Sequence, residues 1–277
     1  MKLSFTTLGC PDWTLSEIVD KAKSYGFDAI DFRGLAGEMQ LYLLPEFSSQ
    51  LEQTRGQIHD AGLVVSGFSS SVNLCRFDQA EANVQEIVQY SKLCKFFEVT
   101  YIRVFGGKLR GMPREEALEK ASEHWKQLAN IAGAEGAKLL LETHDDWVDN
   151  NEVRKLIEMT DSEHIGVLWD VHHTYRMANE SPETTVNILG KWIENTHWKD
   201  SKITESGAAG EPPKFSYCFM GEGDVPLKQA LHQLQMNGYN GFYTLEWEKK
   251  WHPELPDADE AFPQYVQYMR NASESAE

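Results

Sequence analysis

The stretch Lys138-Leu139-Leu140-Leu141-Glu142-Thr143-His144 sets a continuous aliphatic run directly before a carboxylate and an imidazole. An apolar run without alternation predicts a parallel strand buried on both faces. Outward from it, further β-rich runs recur at Leu3–Thr7, Ala29–Arg33, Leu63–Phe68, Tyr101–Phe105, Ile165–Asp170, Trp192–His197 and Phe242–Glu246. Each is followed by a longer segment of helical period. Thr14-Leu15-Ser16-Glu17 reads as a capping box, and Leu15, Ile18, Val19 and Ala22 then line one apolar face. Gly26 stands where that helix must stop, because glycine accepts the left-handed conformation that ends a helix. Pro113 and Pro226 stand where they can open later helices. This alternation over 277 residues predicts an α/β fold, a single (β/α)8 TIM barrel spanning residues 1–277. A doubly wound open sheet is the alternative.

Composition narrows the function. Lys and Arg number 26 against 43 Asp and Glu, a formal net charge of −17. That balance argues against a nucleic-acid partner, since phosphate neutralisation needs clustered cations. The sequence shows neither an apolar run long enough to span a membrane nor the run of a signal peptide. Cys10, Cys75, Cys94 and Cys218 are scattered, with no C-x-x-C pair, which suggests a reducing, cytoplasmic setting. Gly221-Glu222-Gly223-Asp224 is not a dinucleotide fingerprint and follows no predicted strand. It belongs to Ser201–Val225, which also holds Gly207, Gly210, Pro212 and Pro213 and reads as a long irregular loop. Such a loop is either a lid or specificity element or a passive surface excursion.

In a parallel barrel the active site lies at the C-terminal strand ends. Those ends supply Glu142, Asp170 in Leu-Trp-Asp-Val-His-His, His197 in His-Trp-Lys-Asp, and Glu246 in Thr-Leu-Glu-Trp-Glu. Three carboxylates pointing into one mouth repel each other unless a cation lies among them, so a bound divalent metal is the simplest compensation. Three oxygen donors and one imidazole form a mostly hard ligand set, suited to Mn²⁺, Co²⁺, Mg²⁺ or Zn²⁺. The bland reading is four solvated strand ends with no common centre.

At these residues the sequence resembles the xylose-isomerase-like barrels, including sugar epimerases of the tagatose 3-epimerase kind and inosose dehydratases. The likeness rests on Glu142, the Asp170-x-x-His173 pair, His197, and Gly238-Tyr-Asn-Gly241-Phe-Tyr-Thr-Leu-Glu246-Trp-Glu248. It implies that Glu142, Asp170, His197 and Glu246 hold one divalent ion. It further implies that Glu142 and Glu246 carry protons as catalytic acid and base, and that His173 contacts substrate. The activity implied is a metal-dependent sugar or polyol isomerase or epimerase, acting by proton abstraction beside a carbonyl through an enediolate. A lyase or dehydratase on an inosose or 3-keto-glycoside is the runner-up. The resemblance also implies a small carbohydrate substrate and a homo-oligomer, dimer or tetramer.

Other residues have two readings each. His144 is a substrate contact or a loop histidine. Lys199 neutralises an enediolate or a phosphate, or forms a salt bridge to Asp200 or Glu248. Arg33 binds a substrate hydroxyl or carboxylate, or makes an ion pair inside the mouth. Trp13, Trp147 and Trp247 form an apolar wall for a sugar ring or belong to the core. Apurinic-site endonucleases share this barrel but need histidines at the third and fourth strand ends. Here those ends read Ser66-Gly67-Phe68-Ser69 and Phe105-Gly106-Gly107. A non-catalytic barrel would have no need of both glutamates.

Overall fold

In the computed structural model, which describes residues 1–207 and 213–274, eight parallel strands close into a barrel. They are β1 (Lys2–Thr6), β2 (Ala29–Phe32), β3 (Val64–Asn73), β4 (Tyr101–Phe105), β5 (Lys138–Glu142), β6 (Ile165–Asp170), β7 (Ile193–Trp198) and β10 (Phe242–Leu245). Neighbours follow chain order, and β10 seals the ring between β7 and β1. The open-sheet alternative is thereby excluded. Strand ends fall within one residue of the sequence reading except at β3, which runs on to Asn73. Its register against β4 shifts between Ser69 and Asn73, and two hydrogen bonds hold that irregular stretch. Ser70 Oγ donates to the Arg103 carbonyl at 2.6 Å, and the Ser71 N–H donates to Glu86 at 2.6 Å.

The helices are α1 (Leu15–Tyr25), α2 (Leu51–Asp60), α3 (Ala80–Phe97), α4 (Arg114–Ala134), α5 (Asn150–Thr160), α6 (Val171–Ala178), α7 (Pro182–Leu189), α8 (Leu227–Met236) and α9 (Ala258–Glu274). Helix α1 begins with the expected capping box: the Glu17 N–H donates to Thr14 Oγ at 3.3 Å, and the Thr14 N–H donates to the Glu17 carboxylate at 2.8 Å. It ends at Gly26, whose φ is +85°. Pro113 and Pro226 sit just before α4 and α8, one position outside the first turn.

Apolar strand residues such as Ile102 and Val104 face the helices, while their neighbour Arg103 faces the barrel interior. Trp125, Trp147, Trp169 and Trp198 are fully buried between layers. Trp147 lies against Gly106, where an added Cβ would come within 2.2 Å of the indole. The three tryptophans weighed as a sugar-stacking wall are engaged in packing. Trp13 meets Phe262 edge-on at 5.6 Å, Trp147 is enclosed, and Trp247 stacks on Phe219 at 5.8 Å.

The segment read as an irregular loop contains an antiparallel hairpin, β8 (Asp200–Glu205) with β9 (Lys214–Cys218). Gly210 and Pro212 lie outside the described residues. Asp200 anchors its base by accepting N–H donors from Ser201 at 2.8 Å and from Gly221 and Gly223 at 2.9 Å. A Cβ on Gly223 would strike Asp200, which gives the glycine pair a structural purpose. Among the described residues no helix is long and apolar enough to cross a membrane.

Candidate metal centre

Glu142 closes β5, Asp170 closes β6, His197 lies in β7, and Glu246 follows β10. Register pairs Asp170 with His197, and the Glu246 N–H donates to the Trp198 carbonyl at 3.0 Å, carrying the β7–β10 pairing up to the glutamate. One ligand atom from each of the four lies within 4.8 Å of the others, and all four residues are buried. His197 Nδ1 is 3.3 Å from Glu142 Oε1 and 3.2 Å from Glu246 Oε1. Its Nε2 points the other way, 3.7 Å from Asp31 Oδ2 on β2. A carboxylate behind a histidine fixes which nitrogen faces a metal.

The donor set suits a hard divalent cation. Glu142 Oε2 and Asp170 Oδ2 are sealed from solvent, and each meets one cation, Arg103 Nε at 3.2 Å and Lys199 Nζ at 2.8 Å. Three buried carboxylates crowded into one mouth are costly, and an ion among them relieves that cost.

Lys199 partly compensates. Its Nζ lies 2.8 Å from Asp170 Oδ2, 2.8 Å from Glu248 Oε1, and against Glu246 Oε2. The salt-bridge alternative for Lys199 is therefore the observed one, with Glu248 among its partners. Asp200 is instead occupied by turn backbone. The Tyr217 hydroxyl, on β9, donates to Glu248 at 3.0 Å and couples the hairpin to this cluster.

These contacts separate the carboxylates. Burial and the Glu246 charge work to raise Glu142, but Arg103 and His197 outweigh them and hold its carboxyl at about 2. Burial drives Asp170 up to about 6 against the pull of Lys199. Burial likewise acts to raise Glu246, yet Lys199 and His197 hold it well below the ordinary range. Burial disfavours a charged His197, but Glu246 and Glu142 raise it well above its ordinary value. Glu142 and Glu246 are thus both held as carboxylates, and Asp170 is the one whose ionisation is disfavoured.

His173 joins the centre, with Nε2 3.6 Å from Asp170 Oδ2 and no hydrogen-bond partner. Burial and Lys199 keep it neutral, well below the ordinary histidine value. His144 sits one ring further out, edge-on to His173 at 4.5 Å and with Nδ1 3.3 Å from Asp145. Arg33 is placed apart, on the β2–β3 side, where Nη1 donates to Ser71 Oγ at 3.1 Å. The ion pair weighed for Arg33 does not form within 4 Å among the described residues.

Sequence reasoning passed over Asp31, Arg103 and Tyr217. Asp31 and Arg103 carried a signal: each is a lone charge inside an apolar run, Ala-Ile-Asp-Phe and Tyr-Ile-Arg-Val-Phe. Tyr217 carried none, because its hairpin was not foreseen.

The xylose isomerase-like TIM barrel profile matches residues 19–272. The chain belongs to that family. Among curated relatives, an inosose dehydratase of Salmonella typhimurium (strain LT2) is 25% identical over 263 residues, 87% of this chain and 84% of that protein. A probable endonuclease 4 of Sulfurihydrogenibium sp. is 24% identical over 110 residues, which span 39% of the nuclease. The probable 3-DHS dehydratase AsbF of Bacillus anthracis superposes with a TM-score of 0.81 at 17% identity, covering 98% of this chain and 99% of that one. The IOLI protein, solved with a zinc atom, superposes with a TM-score of 0.81 at 18% identity, covering 100% and 99%. At such identities the likeness of the solved structures is one of fold.

Proposed function

We propose that the chain is a divalent-metal-dependent isomerase or epimerase of a small carbohydrate, moving a proton beside a carbonyl. The observation that carries this reading is the convergence of four buried ligand atoms, three from carboxylates and one from an imidazole, within 4.8 Å of one another. Glu142, Asp170, His197 and Glu246 would hold the ion, as Mn²⁺, Co²⁺, Mg²⁺ or Zn²⁺; the zinc of the IOLI protein falls within that set. When bound, the ion supplies a Lewis acid for the carbonyl oxygen. Glu142 and Glu246 divide the proton work: one carboxylate takes a proton from carbon, and the other, first protonated from solvent, returns one to the opposite face, inverting that carbon. His173, neutral and unpartnered, offers Nε2 to a substrate oxygen. The hairpin within residues 201–225 closes over the mouth as a specificity element, reached through Tyr217 and Glu248.

A dehydratase is the second reading, favoured by the two dehydratases among the relatives and neighbours. It needs the same proton abstraction, followed by departure of a neighbouring hydroxyl as water. A nuclease is disfavoured, since the β3 and β4 ends carry serines, Phe105 and glycines where histidines would be required.

Elemental analysis tests the centre: about one metal per chain is expected in the wild type and loss in Asp170→Ala. Solvent deuterium should enter keto-sugars, and Glu142→Gln or Glu246→Gln should abolish that exchange. An ultraviolet-absorbing unsaturated product would select the dehydratase. Wild-type exchange in either glutamine variant would sink both readings.

A further inference from the structure

Two buried guanidinium groups stand at the β2–β4 side of the mouth, and the metal centre engages only one edge of one of them. Arg103 is 2% exposed, its Nε is ion-paired, and its Nη1 has no hydrogen-bond acceptor. Its one close carboxylate is Glu142, 3.2 Å from Nε, and Glu142 already belongs to the metal ligands. The Phe105 ring lies 3.7 Å from the guanidinium carbon and holds the fork flat. Arg33 is 8% exposed and donates from Nη1 to Ser71 Oγ. Ser71 stands on β3 two residues beyond Ser69, the register partner of Arg103, so both arginines border the same stretch of strand. Glu86 is the remaining carboxylate beside them, and it is turned to the Ser71 N–H at 2.6 Å. Burial raises the Glu86 carboxyl, which weakens it further as a counter-ion.

A buried guanidinium with donors left over is costly, and a planar fork matches a carboxylate through paired hydrogen bonds. We propose that Arg33 and Arg103 form an anion subsite for a carboxylate carried by the substrate, making that substrate an acidic keto-polyol. The inference rests on the proton-transfer reading above. Phosphate is the poorer match, because the sequence has no Gly-rich run of backbone N–H donors to cradle it.

The test compares matched acid and neutral ligands by calorimetry on metal-free and metal-loaded protein. Suitable pairs are D-glucuronate with D-glucose, and quinate with myo-inositol. Each acid should bind tighter than its neutral partner by about tenfold or more, and Arg103→Gln and Arg33→Gln should bring the ratio near one. Equal binding of acid and neutral partner overturns the subsite, as does absence of binding by either. A ratio unchanged in both variants does the same. Tighter binding of D-glucose 6-phosphate than of D-glucuronate overturns the carboxylate assignment. Should neither variant fold, the wild-type ratio decides. Metal content and deuterium exchange on the same samples report the proposed function separately. Intact exchange without acid preference removes only the subsite, whereas acid preference without metal removes the function.

Discussion

Lys199 and Arg103 are both buried cations at the mouth of one barrel, 1% and 2% exposed, yet their surroundings differ sharply. Lys199 is met by Asp170, Glu246 and Glu248, and the last is fixed by Tyr217. Arg103 has a single carboxylate, 3.2 Å from Nε, and its Nη1 has no acceptor. Lys199 is thus part of a cluster that holds its carboxylates together before any ligand arrives. Arg103 and its neighbour Arg33 are positioned with hydrogen-bonding capacity left over. The stability of the two sides should therefore respond to mutation unequally.

The largest effect is expected on the lysine side. Lys199→Met leaves buried Asp170 and Glu246 and half-buried Glu248 facing one another, and breaking such a cluster by removing one partner costs about 3–5 kcal/mol. Urea unfolding of the metal-free protein measures it. Added Mn²⁺ or Zn²⁺ should raise the Tm of the variant more than that of the wild type, because the ion then supplies the missing positive charge. Equal stability of variant and wild type would show that Lys199 does not hold the cluster.

Arg103→Met should cost less, about 1–3 kcal/mol, since only Glu142 loses a partner. The cost should shrink when Glu142→Gln is combined with it, as the stranded charge is then gone. Additive effects in the double variant would place the two residues in independent environments.

Metal affinity offers the next test of the comparison, at about 1.4 kcal/mol per pH unit. His197 is raised well above its ordinary value by Glu246 and Glu142, so the metal-free imidazole is protonated at neutral pH. A ligand nitrogen must be neutral, so binding expels that proton and affinity rises with pH, by about tenfold per unit. Competition titrations between about pH 6 and 8 read this directly, and a flat profile would remove His197 from the ligand set.

How much of this was legible in sequence follows from where each residue sits. The barrel was, because strands such as Leu139-Leu140-Leu141 are apolar on both faces and capping signals such as Thr14 with Glu17 act locally. The quartet Glu142, Asp170, His197 and Glu246 was also legible as strand ends, which parallel topology gathers at one mouth. Partnership was not. The Lys199 cluster depends on Asp170 and Glu246 reaching one ammonium from separate strands, and no spacing encodes that. The hairpin was missed because glycines and prolines in Ser201–Val225 outweighed the short alternation in Lys214-Phe215-Ser216-Tyr217. Asp31 and Arg103 were read as strand positions only, although a lone charge inside a buried strand already demands a partner.

The smallest stability effect is expected at Arg33, where it is also the most informative. Arg33→Met gives up one hydrogen bond to Ser71, worth about 1 kcal/mol, and removes a buried guanidinium that has no ion pair within 4 Å among the described residues. Relief of that desolvation offsets the lost bond, so the net change should stay within about 1 kcal/mol of zero. Burial, together with the Arg103 charge, already pulls the Arg33 guanidinium down to about 10, the mark of a cation held where a cation is disfavoured. The proposed anion subsite assigns that cation to ligand binding and not to folding. Unfolding midpoints should therefore coincide for wild type and Arg33→Met while the acid-to-neutral binding ratio collapses. A loss of several kcal/mol with the ratio intact would instead make Arg33 a strut of the β2–β3 edge and erase the contrast with Lys199.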